Sequence, residues 1–171
     1  ATVMKYDGAG WSFVGERNFS NQMLSAVRLY VENGVPYVLT MSSGDGQLSV
    51  MKYNGQQWVY VGMMNFTPTL SDPTNFFVYQ GTPYVSFMCR SHDWQVSVMK
   101  FNGAVWEYVG DPYFPEKDIV GHTFTIDNGI LYISYTDSYL ANRIKKFNGT
   151  AWETIECPLL NTVKIWESAI Q

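Results

Sequence analysis

Short runs rich in apolar and aromatic residues recur along this chain, and turn residues separate the runs at regular intervals. Two examples are PYVLTM at 36–41 and LSVMKY at 48–53. Runs of this length, rich in Val, Tyr, Phe and Trp and bounded by Gly, Asn and Asp, predict β-strands. No segment of ten or more residues shows a convincing 3.6-residue apolar period, so almost no helix is expected. The pattern therefore predicts an all-β protein.

One pattern occurs four times and sets the organisation of the chain. It reads VMKYDGAGWSFVG at 3–15, VMKYNGQQWVYVG at 50–62, VMKFNGAVWEYVG at 98–110 and, in a more divergent copy, IKKFNGTAWETIE at 144–156. Each copy predicts two strands, C and D, joined at an Asp-Gly or Asn-Gly turn. Two further strands, A and B, precede the second, third and fourth copies. A fixed interval of about 47 residues indicates a repeat architecture.

Four-stranded meanders at this interval predict a β-propeller, with about 3.5 blades in the chain. The predicted division is a C–D half blade at 1–15, blades at 16–62, 63–110 and 111–156, and a possible closing A strand within 157–171. A flat or prism-like stack of sheets is the alternative. Three ways of completing the ring stay open: four blades with a defective last one, two copies forming a larger ring, or membership of a longer propeller.

The C–D turns resemble the Asp box of sialidase-like and related propellers, which lies between the same two strands and ends Gly-x-x-Trp. The matching pairs here are Gly8/Trp11, Gly55/Trp58, Gly103/Trp106 and Gly149/Trp152. The likeness is incomplete, because Asp or Asn directly precedes the glycine and lysine stands near the place of the usual Ser or Thr. The K-[YF]-[DN]-G-x-x-W pattern also resembles repeats in bacterial secreted or surface propellers. This resemblance implies a fold and carries no catalytic residue across.

The repeated aromatic residues are expected to be structural. Each tryptophan should cover a blade corner and donate its N–H to a neighbouring carbonyl. A phenylalanine also recurs four residues after each D strand's glycine, at Phe19, Phe66 and Phe114. Its expected role is packing between blades.

Charge and cysteine content narrow the function. The net charge of −4 argues against nucleic acid, which requires a basic face. No apolar run approaches the ~20 residues that span a bilayer, so no membrane insertion is expected. Cys89 and Cys157 occupy non-equivalent places without metal-ligand spacing. Neither a metal nor another cofactor is predicted.

Candidate binding residues lie where the repeats differ. The B–C and D–A connections share one end of each blade and vary, whereas the A–B and C–D turns are short and alike. Trp94 lies outside the repeat pattern, as either a lid on the sheet or an exposed binding aromatic. The predicted site residues in these loops are His92, Asp93, Trp94, Asp45, Asp137 and Tyr139. Arg28 and Asn75 align with Thr123 in the A strands, which should line a central channel and hold water or a small ligand.

No catalytic residue is predicted. The two histidines, His92 and His122, are thirty residues apart, and no serine lies in a nucleophile elbow. No carboxylate pair is placed for glycoside hydrolysis. We therefore expect a lectin-like, non-enzymatic module, extracellular or at the cell surface, that recognises a glycan or a protein partner through its variable loops. The alternatives are an assembly propeller that oligomerises through open blade edges, for example as a dimer completing a ring, and a glycoside-hydrolase-like enzyme.

Overall fold

A computed structural model describes residues 1–20, 22–69, 71–114, 119–139 and 141–156 of the chain. The predicted closing A strand within 157–171 lies outside these residues. The described part contains fourteen strands and one 3₁₀ turn, Arg90–His92. The strands are β1 (Met4–Tyr6), β2 (Trp11–Phe13), β3 (Leu24–Glu32), β4 (Val35–Ser42), β5 (Leu48–Tyr53), β6 (Trp58–Tyr60), β7 (Ser71–Tyr79), β8 (Thr82–Cys89), β9 (Gln95–Phe101), β10 (Trp106–Tyr108), β11 (Ile119–Asp127), β12 (Ile130–Asp137), β13 (Asn142–Phe147) and β14 (Trp152–Ile155).

The strands form antiparallel meanders in chain order. Strands β3–β6, β7–β10 and β11–β14 make three four-stranded sheets, which we call the first, second and third blades. Strands β1 and β2 make a two-stranded sheet, the half-blade. The prediction of an all-β fold of four-stranded antiparallel blades is confirmed. Within the described ranges, no helix is long and apolar enough to cross a bilayer.

Successive sheets pack face to face and bury apolar side chains between them. Leu39 and Val50 of the first blade meet Val85 and Phe87 of the second in one buried cluster. A second cluster joins the second and third blades, and a third joins the half-blade to the first. The innermost strands β3, β7 and β11 contact one another in sequence. Layers of sheets around adjacent inner strands are the arrangement of β-propeller blades.

Each interface between neighbouring sheets contains the same aromatic contact, which we call the clasp. In the second blade, Trp106 Nε1 donates a hydrogen bond to the Val61 carbonyl of the first blade at 2.8 Å. The same indole stacks on Phe66, with ring centroids 3.9 Å apart and planes 4° apart. Equivalent clasps are Trp58 with Val14 and Phe19, and Trp152 with Val109 and Phe114. The expected roles of the repeated tryptophan and phenylalanine are confirmed.

A glycine completes each clasp because the indole needs its space. Gly62 has φ +72°, and a Cβ atom there would lie 2.7 Å from Phe101 Cε2 and 3.1 Å from Trp106 Cδ1. Any side chain at this position would therefore push the aromatic rings of the next blade away. Gly15 and Gly110 have the same φ and meet the next tryptophan in the same way.

The C–D turns are four-residue loops held by a side chain. Asp7 Oδ1 accepts hydrogen bonds from the backbone N–H groups of Ala9 and Gly10, both at 2.9 Å. These two bonds are the main reason that the pKa of the Asp7 carboxyl is lowered. Asn54, Asn102 and Asn148 make the same pair of bonds in the other sheets. The repeated turn therefore has a structural role.

Two inner strands begin earlier than the sequence pattern predicts. In the second blade the apolar run NFFVY predicts an A strand from Asn75, but β7 begins at Ser71 and includes Pro73. The pairing register shifts between Pro73 and Asn75, which marks a β-bulge. A bulge tolerates a residue without an N–H, so proline does not end this strand. Likewise β11 begins at Ile119 and is irregular before Gly121.

Replacing the clasp tryptophan should show how much one clasp contributes to stability. Trp106→Phe retains an aromatic ring but removes the N–H that satisfies the Val61 carbonyl. We expect the free energy of unfolding in urea to fall by about 1–3 kcal/mol. Trp11→Phe is the matched control, because Trp11 is 66% exposed in the half-blade and should change stability by less than about 0.5 kcal/mol. Equal effects of the two substitutions would contradict a stabilising role for the clasp.

Candidate functional site

The variable connections lie together at one end of the blades, as the meander requires. Backbone bonds tie them to neighbouring strands. Ser43 N donates to Met23 O at 2.9 Å, and Ser71 N donates to Gly46 O at 3.1 Å. The second bond joins the loop containing Asp45 in the first blade to the start of β7 in the second. This end of the molecule therefore combines loops from adjacent blades on rigid strands.

Trp94 lies in the B–C loop of the second blade, in an unusual backbone conformation. The 3₁₀ turn Arg90–His92 is followed by two left-handed residues, Asp93 with φ +50° and Trp94 with φ +59°. Trp94 N donates to Cys89 O at 3.1 Å and closes the loop. The Trp94 side chain remains 41% exposed. This loop therefore presents the indole at the surface instead of folding it into the core.

An arginine and a carboxylate fix this indole from one side. The Arg90 guanidinium carbon lies 4.9 Å from the centre of the Trp94 ring, a cation–π distance. Arg90 Nε and Nη2 both donate to Asp72 Oδ2 at 3.1 Å. Asp72 adjoins Ser71, which bonds the first-blade loop. Contacts through β7 thus connect the loop containing Asp45 to Trp94. The sequence pattern did not predict Arg90 and Asp72 as residues of the site.

His92 is held under the same loop by a ring and a thiol. Its imidazole stacks on Tyr113, with centroids 3.6 Å apart and planes 3° apart. His92 Nδ1 lies 3.3 Å from Cys89 Sγ and 3.1 Å from Ser91 Oγ. Cys89 is a free and fully buried cysteine. A thiol–imidazole pair can serve as nucleophile and base, but no substrate can reach a sulfur that is fully buried. The pair therefore supports the loop.

A tyrosine pair extends this support. The hydroxyl groups of Tyr113 and Tyr108 lie 3.4 Å apart. Burial, followed by the contact with Tyr113, raises the pKa of the Tyr108 hydroxyl, so it stays neutral. Tyr113 occupies the place of Asn18 and Asn65, one residue before the recurring phenylalanine. A tyrosine at a position where the preceding repeats have asparagine was the sequence signal that could have indicated this part of the site.

The third-blade loop is organised separately. The Asp137 carboxylate accepts hydrogen bonds from the backbone N–H groups of Tyr139 and Ala141, at 3.0 and 2.9 Å. It also forms an ion pair with Arg143 at 3.4 Å. The Tyr139 side chain is 89% exposed. Asp137 thus shapes its own loop, and Tyr139 is displayed to solvent.

Two inner-strand residues and Ser86 of β8 place polar side chains between the second and third blades. Asn75 lies opposite Ser86 in the strand register, and His122 Nε2 lies 3.0 Å from Ser86 Oγ. Arg28, at the equivalent position of the first blade, is exposed and donates to the Val27 carbonyl. The prediction that Arg28, Asn75 and Thr123 hold water or a small ligand stays a prediction.

The Ser86–His122 pair is not a catalytic dyad. Burial lowers the pKa of His122 from 6.5 to about 3 and keeps the imidazole neutral. A base with so low a pKa cannot take a proton efficiently near neutral pH. Among the described residues, no three His, Cys, Asp or Glu side chains converge as metal ligands would.

No protein-family model and no curated protein matches this chain. Its structure is similar to that of Bacteroides ovatus xyloglucan PUL GH43B, with a TM-score of 0.50 and 14% identity over 91% of this chain. It can also be superposed on an endo-1,4-beta-xylanase from Bacteroides thetaiotaomicron, with a TM-score of 0.47 and 12% identity over 92% of this chain. The chain spans 36% of the first protein and 64% of the second. At this identity, the similarity to the first protein shows the β-propeller fold alone.

The buried histidine predicts an acid-sensitive fold. Since the pKa of His122 is about 3 in the folded chain and 6.5 in the unfolded chain, the unfolded chain binds more protons below pH 6.5. The stability that depends on the neutral imidazole is fully present above pH 6.5 and is lost as pH falls toward 3. We expect the urea midpoint to fall less steeply between about pH 6.5 and pH 4 in His122→Gln than in the wild-type chain.

Val120→Ala is the control for this measurement, because Val120 is 63% exposed on the same strand as His122 and carries no titratable group. Its pH slope should match that of the wild-type chain. If His122→Gln and the wild-type chain lost stability in parallel, the pKa of His122 in the folded state would be close to its ordinary value.

Proposed function

We propose that this chain is a non-enzymatic glycan-binding module and that its ligand lies over Trp94 at the loop end of the second blade. The observation that carries the proposal is the exposed indole, which left-handed backbone and Arg90 fix in place. A fixed aromatic side chain loses little conformational entropy on binding. Sugar rings present apolar C–H faces together with hydroxyl groups. A flat indole beside polar groups suits both.

The ion pair beside the indole supplies the polar part of this surface. The Arg90 and Asp72 side chains are 49% and 30% exposed, so both a donor and an acceptor stand at the rim of Trp94. The first-blade loop containing Asp45 adjoins Asp72 through the Gly46–Ser71 bond. A ligand longer than one sugar could therefore contact loops from two blades.

Binding is better supported than hydrolysis. A glycoside hydrolase requires two carboxyl groups that face each other across the scissile bond. Equivalent positions on the inner strands carry Arg28, Asn75 and Thr123 instead of carboxylates. The Cys89 sulfur and the Ser86–His122 pair are buried. These observations favour recognition without chemistry.

The fold comparison indicates which glycan to test first. The protein with the matching fold is described as a xyloglucan GH43B. As part of the proposal we extend xyloglucan to this chain as a ligand, so xyloglucan oligosaccharides are the first probe. A location outside the cell, where such polysaccharides occur, belongs to the same proposal.

Titration calorimetry with xyloglucan oligosaccharides, following a glycan array, tests the site. Trp94→Ala removes the indole and should weaken binding at least about tenfold, the loss typical of a central aromatic anchor. Val105→Ala is the matched control, because Val105 is 58% exposed at the opposite end of the same blade. Its affinity should equal that of the wild-type chain.

Two results would overturn the proposal. One is the absence of wild-type binding to every glycan on the array. The other is a glycan affinity that Trp94→Ala leaves unchanged, because the ligand would then lie elsewhere. Release of reducing sugar from a bound oligosaccharide would show that the chain hydrolyses its ligand, which would contradict a non-enzymatic function.

A further inference from the structure

A lysine recurs at the same register position in the third strand of each blade, as Lys52, Lys100 and Lys146. In the second and third blades its ammonium forms an ion pair with a glutamate on the fourth strand, with N–O distances of 3.4 Å to Glu107 and 3.7 Å to Glu153. In the first blade the residue opposite Lys52 on the fourth strand is Val59, which has no acceptor. No ion pair among the described residues includes Lys52. The first blade therefore carries a positive charge that its fourth strand does not neutralise.

Lys52 lines a cavity of about 550 Å³ between the first and second blades. The first blade also contributes Tyr37 and Val61, and the second blade contributes residues 81–84 and 100–103. Residues 81 and 103 belong to the A–B and C–D turns, so the cavity lies at the turn end of the blades, opposite the loop of Trp94. Its size is typical of small-molecule sites, which measure about 300–1,000 Å³. Each of these two blades packs on a further sheet through its other face, so the cavity lies inside the row of sheets.

The strand register directs the Lys52 side chain toward the second blade, where the cavity lies. Side chains that lie opposite each other on antiparallel strands share one face of the sheet. Lys52 lies opposite Tyr37, and Tyr37 packs in the buried cluster that joins the first and second blades. Lys100 also lines the cavity, but it lies opposite Tyr84, which packs toward the third blade, and its ammonium pairs with Glu107. Lys52 therefore supplies the positive charge of the cavity.

Hydroxyl groups and apolar side chains form the rest of the cavity wall. Burial, followed by the negative charge of Glu32, raises the pKa of the Tyr37 hydroxyl, which therefore stays neutral and can donate a hydrogen bond. Thr82 adds a second hydroxyl group. Val61 and Pro83 are buried and line the same cavity with apolar surface. A ring that carries both hydroxyl groups and C–H faces matches this combination.

A fixed carboxylate beside the cavity limits the charge that a ligand can carry. Glu32 Oε2 accepts a hydrogen bond at 2.7 Å from the backbone N–H of Gly81, which lines the cavity. This bond joins the first blade to the second and holds a negative charge at the cavity rim. With one ammonium and one carboxylate nearby, the cavity can neutralise one negative charge and not two. The Glu32 carboxylate can also accept hydrogen bonds from hydroxyl groups of a ligand.

We infer that this cavity is a binding site for an acidic sugar, with the single carboxylate of a uronic acid on the Lys52 ammonium. A hydrogen bond between two charged groups is about twice as strong as one between neutral groups. The Tyr37 and Thr82 hydroxyl groups bond the sugar hydroxyls, and the apolar wall packs against the ring. The cavity lies at the opposite end of the blades from Trp94, so this site is separate from the glycan site proposed there and does not rest on it.

Titration of the isotope-labelled chain with methyl β-D-glucuronide, followed by NMR, tests this site. We expect the backbone amide signals of residues 81, 82 and 103 to shift with a dissociation constant of about 1 mM, which is the affinity expected of a ligand of this size. Methyl β-D-glucoside lacks the carboxylate and should bind at least about tenfold more weakly.

Two substitutions in the first blade should each weaken glucuronide binding at least about tenfold. Lys52→Gln removes the positive charge, and Val59→Glu introduces the glutamate with which the recurring lysine pairs in the other blades. Neither position is buried, so thermal melting should show that both variants remain folded. Lys146→Gln is the matched control, because it removes the same charge from the same register position of the third blade, outside the cavity. Its affinity should equal that of the wild-type chain.

The acidic-sugar site is wrong if these amide signals do not move at about 20 mM glucuronide. It is also wrong if the glucuronide and the glucoside bind equally, or if Lys52→Gln and Val59→Glu leave the affinity unchanged. Tighter binding of methyl glucoside 6-sulfate would assign the cavity to a sulfate ester and overturn the carboxylate. Trp94→Ala should not change glucuronide binding. A loss of that binding in Trp94→Ala would place the acidic sugar at the loop end and overturn a separate site.

Discussion

One tryptophan at each interface between sheets determines how the row of blades is assembled. Its N–H satisfies a carbonyl at the end of the preceding sheet, its face stacks on a phenylalanine, and its edge fills the space above a glycine. A hydrogen bond of this kind contributes about 1 kcal/mol, and an aromatic pair about 0.5–1.5 kcal/mol beyond burial. The carbonyl that accepts from each tryptophan lies 43–45 residues before it, so the contact joins each repeat to the preceding one.

The clasp fixes the corners of the blades and leaves the loop end free to vary. Trp94 and His92 lie on connections between strands that are already anchored by buried side chains. The loops can therefore differ between blades while the contacts that join the blades stay the same.

Much of the fold could be predicted from sequence because it depends on local patterns. Strand β5 has the bounds of the run LSVMKY, and the repeat predicted the tryptophan contacts. The contacts of the site are harder to predict from sequence, because they join residues from different strands and blades. Nothing near His122 in the chain indicates its pairing with Ser86, 36 residues away. Likewise Arg90 meets Asp72 only because a bulge continues β7 through Pro73.

A comparison of two glycines tests the clasp most directly. Gly62 has φ +72° and Gly34 has φ +78°, but a Cβ atom at Gly62 meets Phe101 and Trp106 whereas one at Gly34 meets nothing within 4 Å. Backbone strain alone predicts similar losses of stability for Gly62→Ala and Gly34→Ala. Overpacking of the clasp predicts a further loss of about 1–3 kcal/mol for Gly62→Ala in urea unfolding. Equal losses would contradict the account, because the space above Gly62 would then be unimportant for joining the blades.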